Sequence, residues 1–189
     1  MDGTFVVSDT SAPEGEAVEQ PIIAGVAHDL GDAKVTVVGV PDRPGEAAAI
    51  FRAVADAEVN LDMIVQNVSA AATGRTDVTF TCPQADGQKA LSALEKVKAE
   101  IGFEDLRYDD GIAKISLVGA GMRSHPGVSA TFFAALSDAG VNIEMISTSE
   151  IRISVVTRDV DAARAVQAVH TAFGLDADGE AVIYGGTGR

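Results

Sequence analysis

"VTVVGVPDRPGEAAAIFRAVADAEVNLDMI", residues 35–64, returns later in the chain as "ISLVGAGMRSHPGVSATFFAALSDAGVNIEMI", residues 115–146. Each copy opens with an apolar run ending on glycine, Gly39 and Gly119. Each closes a short loop with Pro-Gly, Pro44-Gly45 and Pro126-Gly127. From that second glycine onward the offset holds at 82 positions. Phe51 then matches Phe133, Asp56 matches Asp138, Val59-Asn60 matches Val141-Asn142, and Met63-Ile64 matches Met145-Ile146. The second loop is two residues longer. Self-similarity of this kind marks two copies of one supersecondary unit.

The likeness continues beyond the repeat. "TDVTFTC" and "IRISVVT" alternate as half-buried strands do. "DGQKALSALEKVKAEIGF" and "DVDAARAVQAVHTAFGL" carry helical spacing. Leu91, Leu94, Val97 and Ile101 form one stripe; Ala162, Val166, Val169 and Phe173 form the other. Short strands near a tyrosine, "DLRY" and "AVIY", close the two halves. Each half therefore reads strand–helix–strand–strand–helix–strand, the split βαβ or ferredoxin-like order. The expected fold is α+β: two such units, each an antiparallel sheet with helices on one face and an open face that needs a partner. "PIIAGVAHD", residues 21–29, is an extra strand for one of the sheets. Residues 1–20 hold five acidic residues and no Lys or Arg, and read as a mobile acidic arm in which "TFVV" is strand-like.

Composition narrows the function. The 189 residues suffice for one ordinary domain or two small ones, and 47% are apolar. Aromatics are 5% with no Trp, so the core is built from Val, Ile, Leu, Ala and Met. A net charge of −14 argues against nucleic acid or an anionic membrane as partner. Cys82 is the single cysteine, so one chain makes no disulfide and no cysteine zinc site. His28, His125 and His170 lack metal-type spacing. No basic-then-apolar leader is visible, nor any apolar run near the ~18 residues of a membrane helix. A cytoplasmic, metal-free protein is expected.

The strand–glycine–helix order of "ISLVGAGMRSHPG" invites a nucleotide reading. A dinucleotide fingerprint needs a third glycine where Ser124 stands, the sister loop keeps one glycine of the pair, and neither loop has Gly-Lys-Ser/Thr. A smaller anion suits the same physics. The first turn of a helix offers unpaired N–H groups and a positive dipole end for a carboxylate. Gly45 and Gly127 let a ligand approach the backbone, and Asp42 can accept an α-ammonium group. Together these describe an amino-acid site. The plainer reading has Asp42 and Pro44 merely capping and starting a helix.

The units "DRPGEAAAIFRAVADAEVNLDMIVQNVS" and "SHPGVSATFFAALSDAGVNIEMISTSEIRIS" closely resemble the paired ACT domains of aspartokinase. "GVAHD", "TDVTFTCP", "KISLVGAGM" and the closing "YGGTGR" add to the likeness, which runs from Pro21 onward. It is strongest to the small regulatory subunit of the actinobacterial type, or the equivalent part of its large subunit. The resemblance implies that the first unit, residues 32–105, is inserted into the second, residues 21–31 and 106–189. It implies an allosteric sensor in lysine, threonine and methionine biosynthesis. That sensor has no catalytic site and no cofactor. Nothing ahead of Pro21 is long enough for a kinase domain, so a separate catalytic (alpha) subunit is expected to phosphorylate aspartate.

In the family, pairs from two chains form a homodimer, and threonine, alone or in concert with lysine, binds between chains and inhibits. Carried onto this sequence, the effector site uses Asp42, Gly45, Glu46 and Ala47 at the first helix mouth, with Gln66 on the following strand. Ser129, Asn142 and Ile143 of the second chain close it, and Thr148 and Ser149 line the interface.

Other classes share the fold. Metal chaperones need a cysteine pair in the first loop, which this chain lacks. An acyl-phosphatase-like enzyme needs an Arg and an Asn placed for phosphate, for which Arg43 and Asn60 are available. A purely structural assembly subunit needs no site. Met63 and Met145 are expected to fill core gaps, and Asn60 and Asn142 to shape the helix–strand turn.

Overall fold

The computed structural model describes residues 22–67, 73–120 and 125–175. In chain order it contains β1 (Ile22–Asp29), β2 (Asp32–Pro41), α1 (Glu46–Asp56), β3 (Ile64–Gln66), β4 (Arg75–Pro83) and α2 (Gly87–Ile101). Next come β5 (Asp105–Asp109), β6 (Ile112–Ala120), α3 (Pro126–Asp138), β7 (Met145–Thr148), β8 (Arg152–Arg158) and α4 (Ala162–Ala172). The strands form two four-stranded sheets, ordered β3-β4-β2-β5 and β1-β6-β8-β7, and every pairing is antiparallel. The arm, "TFVV", "AVIY" and "YGGTGR" lie outside the described residues.

Alternation decides the faces. Along β2, Ala33, Val35 and Val37 are buried while Lys34, Thr36 and Val38 are partly exposed. Val35 and Val37 pack with Ile50 and Val54 of α1, Leu94 and Ile101 of α2, and Phe80 of β4. The second unit repeats the plan: Ile115, Leu117 and Val155 meet Phe132 and Leu136 of α3 and Ala165 and Val169 of α4. Burying one such side chain is worth about 1.5–3 kcal/mol, which makes these two layers the main stabilising feature. Both helical stripes expected from spacing face their sheets. The opposite faces also match. Thr36 and Thr79 share a 3.0 Å hydrogen bond on one sheet, and Ser116 and Ser154 share one of 2.8 Å at the same place on the other.

β1 pairs with β6, Val26 opposite Leu117 and His28 opposite Ile115. It takes the place beside β6 that β5 takes beside β2, where Val35 lies opposite Tyr108. The strand that precedes the first unit in sequence therefore belongs to the sheet of the second.

β5 pairs with β2, so the first unit runs on to Asp109, past the bound expected at residue 105. Two further local expectations are corrected. The first strand does not stop at Gly39; β2 runs on to Pro41 through a bulge, a register shift in its ladder with β4 between Val37 and Val40. Gly39 takes the left-handed turn of that bulge, φ 66°. Its N–H donates to Asp77 Oδ1 at 2.8 Å, and Arg75 donates to its carbonyl and to that of Gly102. Likewise β6 continues past Gly119 to Ala120.

The units touch along their open faces. Met63 and Val65 of the first pack with Ile112, Met145 and Val156 of the second. Met63 and Met145 thus fill the boundary between units, a placement the repeat alone did not specify. Around them lie ion pairs that cross the boundary, described below.

Candidate functional site

The first helix mouth forms as a turn after β2. Asp42 N–H donates to Gly74 O at 2.9 Å, fixing the loop against the start of β4. α1 begins at Glu46 behind Gly45, which sits at φ 103° with no side chain capping the turn. The plainer reading, with Asp42 as cap and Pro44 as first helical residue, is therefore not the local geometry. Gly45 holds the cap position in a conformation that favours glycine. Asp42, Pro44 and Gly45 are exposed; Glu46 and Ala47 are half-buried. The Glu46 carboxylate is engaged by Arg43 at 2.9 and 2.5 Å, so it is already neutralised by its own loop. Gln66 is exposed on β3. β2 and β3 both run antiparallel to β4, so Gln66 lies toward the same end of the sheet as the mouth of α1.

The sister loop differs. α3 starts at Pro126, with His125 in the cap position, so Gly127 lies inside the helix. In the first unit the glycine of the matching Pro-Gly pair stands before the helix. Two extra residues in the second loop go with this earlier start. Residues 121–124, including Ser124, lie outside the described part.

The second group of expected residues is only partly gathered. Asn142 and Ile143 line an open depression of about 410 Å³ with Phe133, Ser137, Gly140 and Val141. Ser129 lies on the first part of α3, one helical turn before Phe133, and is not among the lining of this depression. Asn142 O accepts the Thr157 hydroxyl at 2.8 Å, so its backbone shapes the turn while its side chain is exposed. Thr148 is exposed at the end of β7. Ser149 makes the tight return to β8, its N–H donating to Arg152 O at 2.7 Å. β3 and β7 are edge strands of their sheets, and they carry exposed isoleucines at matching places, Ile64 (52%) and Ile146 (48%).

Arg43 and Asn60 stand at opposite ends of α1, whose eleven residues span roughly 16 Å. One phosphate does not reach both, which removes the geometric basis of the acyl-phosphatase reading. Cys82 is buried, and its thiol is pushed up to about 11, first by burial, then by the carboxylates of Asp32 and Asp86. A thiol held protonated in this way is a poor nucleophile. Among the described residues, no helix is long and apolar enough to cross a membrane. No group of three or more His, Cys, Asp or Glu side chains there is placed to hold a metal ion.

The residues that sequence reasoning missed are the charges at the unit boundary. Lys34 pairs with Glu144. Lys114 lies 2.7 Å from Asp62, 2.8 Å from Asp32 and 3.7 Å from Asp29. Arg158 reaches Asp109 at 2.6 Å and Glu144 at 3.5 Å. Burial alone would lower the Lys114 pKa, but the hydrogen bonds it donates to Asp32 and Asp62 outweigh that and raise the ammonium above its ordinary value. The signal was in the repeat: "AKVTVVG" and "AKISLVG" align the lysines, and "NLDMI" and "NIEMI" align Asp62 with Glu144.

Residues 35–97 and 115–173 match the ACT domain family. The chain is 61% identical over 187 residues to an aspartokinase of Mycobacterium bovis, covering 99% of this chain and 44% of that protein. It therefore spans less than half the length of that relative. The regulatory subunit of aspartate kinase from Thermus thermophilus, in its ligand-free form, superimposes with a TM-score of 0.76 at 45% identity. That match covers 80% of this chain and 99% of that one. A structure of aspartokinase alpha and beta subunits gives a TM-score of 0.75 at 43% identity, over 80% and 99% of the two chains. With both sheets, both helix pairs and the repeat accounted for, the chain belongs to the ACT-domain regulatory subunits of aspartokinase.

Proposed function

We propose that this chain senses a small amino acid, threonine alone or in concert with lysine, and passes feedback inhibition to a catalytic aspartokinase subunit in the cytoplasm. The observation that carries the reading is the mouth of α1. An exposed glycine cap has no side-chain partner, Asp42 is exposed beside it, and Gln66 lies toward the same end of the sheet. Backbone N–H groups suit the ligand carboxylate, Asp42 suits its ammonium, and Gln66 suits a polar side chain. Asn142, Ile143 and Ser129 belong to the other unit and would close the site from a second chain. The edge strands β3 and β7, with Ile64 and Ile146 exposed, support such a homodimer, with Thr148 and Ser149 along it. Inhibition follows when the ligand binds one packing of the units better than another, typically by ~1–3 kcal/mol.

The test is calorimetric titration with threonine, lysine, methionine and aspartate while mass is followed by light scattering. Saturable threonine binding by a dimer supports the reading. No heat from any of the four, with the dimer intact, overturns it in favour of a structural assembly subunit.

A further inference from the structure

The helix–strand links, residues 57–63 and 139–144, carry two kinds of residue. One kind belongs to the proposed ligand site: Asn142 and Ile143 on the second link, and Gln66 just beyond the first. The other kind crosses between units: Glu144 follows Ile143 directly, and Asp62 precedes the strand that bears Gln66. Each link is tied to its own sheet through the backbone. Glu144 N–H donates to Val156 O at 2.8 Å, and Asp62 N–H donates to Thr81 O at 3.1 Å. Each is held from the other unit by a lysine at the matching place, Glu144 by Lys34 and Asp62 by Lys114. Both lysine side chains are largely shielded, 19% and 13% exposed, so salt screens these contacts less than open surface pairs. Lys114 also lies 2.8 Å from Asp32 and Lys34 3.7 Å from Asp109, both strand acids, but the bond to the opposite link recurs in both halves of the repeat.

We propose that Lys34 and Lys114 are positioning residues for the effector site. Each reaches over the unit boundary and sets the other unit's helix–strand link, so that Asn142, Ile143 and Gln66 are held where a ligand meets them. A ligand drawing on one link then acts on the contact between units. This extends the amino-acid reading above and rests on it for the identity of the ligand.

The experiment compares the whole chain with Lys34→Met and Lys34→Arg by amide hydrogen exchange and by titration with L-threonine, below the melting range of all three. Expected for Lys34→Met is exchange about tenfold faster at the Glu144 amide with the β6 and β8 amides unchanged. Threonine affinity falls about fivefold or more. Lys34→Arg, which keeps the charge, stays near the parent in both. Unchanged exchange at Glu144 overturns the proposal. So does acceleration spread evenly over both sheets, which would mark a merely structural pair. So does an unchanged affinity. If the parent binds neither L-threonine nor L-lysine, the amino-acid reading falls, and the exchange measurement still decides whether Lys34 sets the link.

Discussion

Arg158 on β8 donates to Asp109 on β5 at 2.6 Å, tying an edge strand of the first sheet to an inner strand of the second. Lys34 stands 3.7 Å from the same carboxylate. Burial would raise the Asp109 pKa, but Arg158, the Gly111 N–H and Lys34 together bring it below its ordinary 3.8. A lowered carboxyl stabilises the folded state fully above its unfolded value. That contribution is lost as pH falls through the lower folded value. Urea midpoints taken between about pH 6 and pH 2 should fall at the acid end. Asp109→Asn should lower the plateau and flatten the acid limb. An unchanged limb would show that Asp109 carries no such linkage.

The paired glycines of the two loops should respond oppositely. Gly45 has φ 103°, so Gly45→Ala forces a side chain into a region open essentially to glycine, at ~1–3 kcal/mol. Gly127 lies inside α3 with open space around its would-be Cβ, so Gly127→Ala should stabilise by about 0.5–1 kcal/mol. Thermal unfolding of the two variants checks both signs.

Met63 and Met145 share one cluster across the unit boundary and are 2% and 6% exposed. Each truncated to alanine should cost roughly 2–5 kcal/mol. The double variant should depart from the sum of the singles by more than ~0.5 kcal/mol, because both empty the same space. Strict additivity in denaturant unfolding would mean that the boundary cluster does not act as one.

Cys82 is buried with its thiol held protonated. In native buffer near pH 8 it should resist a disulfide-exchange reagent, and it should react within the mixing time once urea unfolds the chain. Fast labelling of the native protein would contradict its burial.

Asp42→Ala and Gln66→Ala should weaken threonine binding while leaving circular dichroism and the melting midpoint close to the parent. Both side chains are exposed and remote from the two cores. Exposed substitutions away from caps and networks commonly move stability by no more than ~0.5 kcal/mol. Unchanged affinity in either variant removes that residue from the site.

The chain's own repetition made most of the architecture readable. Period-2 and period-3.6 patterns are local, and the matched order of elements in the two halves permits few folds. The stripes Leu91–Ile101 and Ala162–Phe173 and the helix that follows Gly45 were legible this way. The cap at Gly45, the bulge at Gly39 and the earlier start of α3 were not, because each depends on a backbone angle settled by neighbouring strands.

What the sequence determined alone was therefore the element order and the inward faces, which follow from where apolar side chains recur along the chain. What only the tertiary structure decided was which elements meet. β1 joins the sheet of β6, and Lys34 and Lys114 each find an acid on the opposite unit. A charged residue on an open strand face reads as solvent-exposed until a second surface is brought against it. Its partner then depends on how two sheets pack, which no local pattern records.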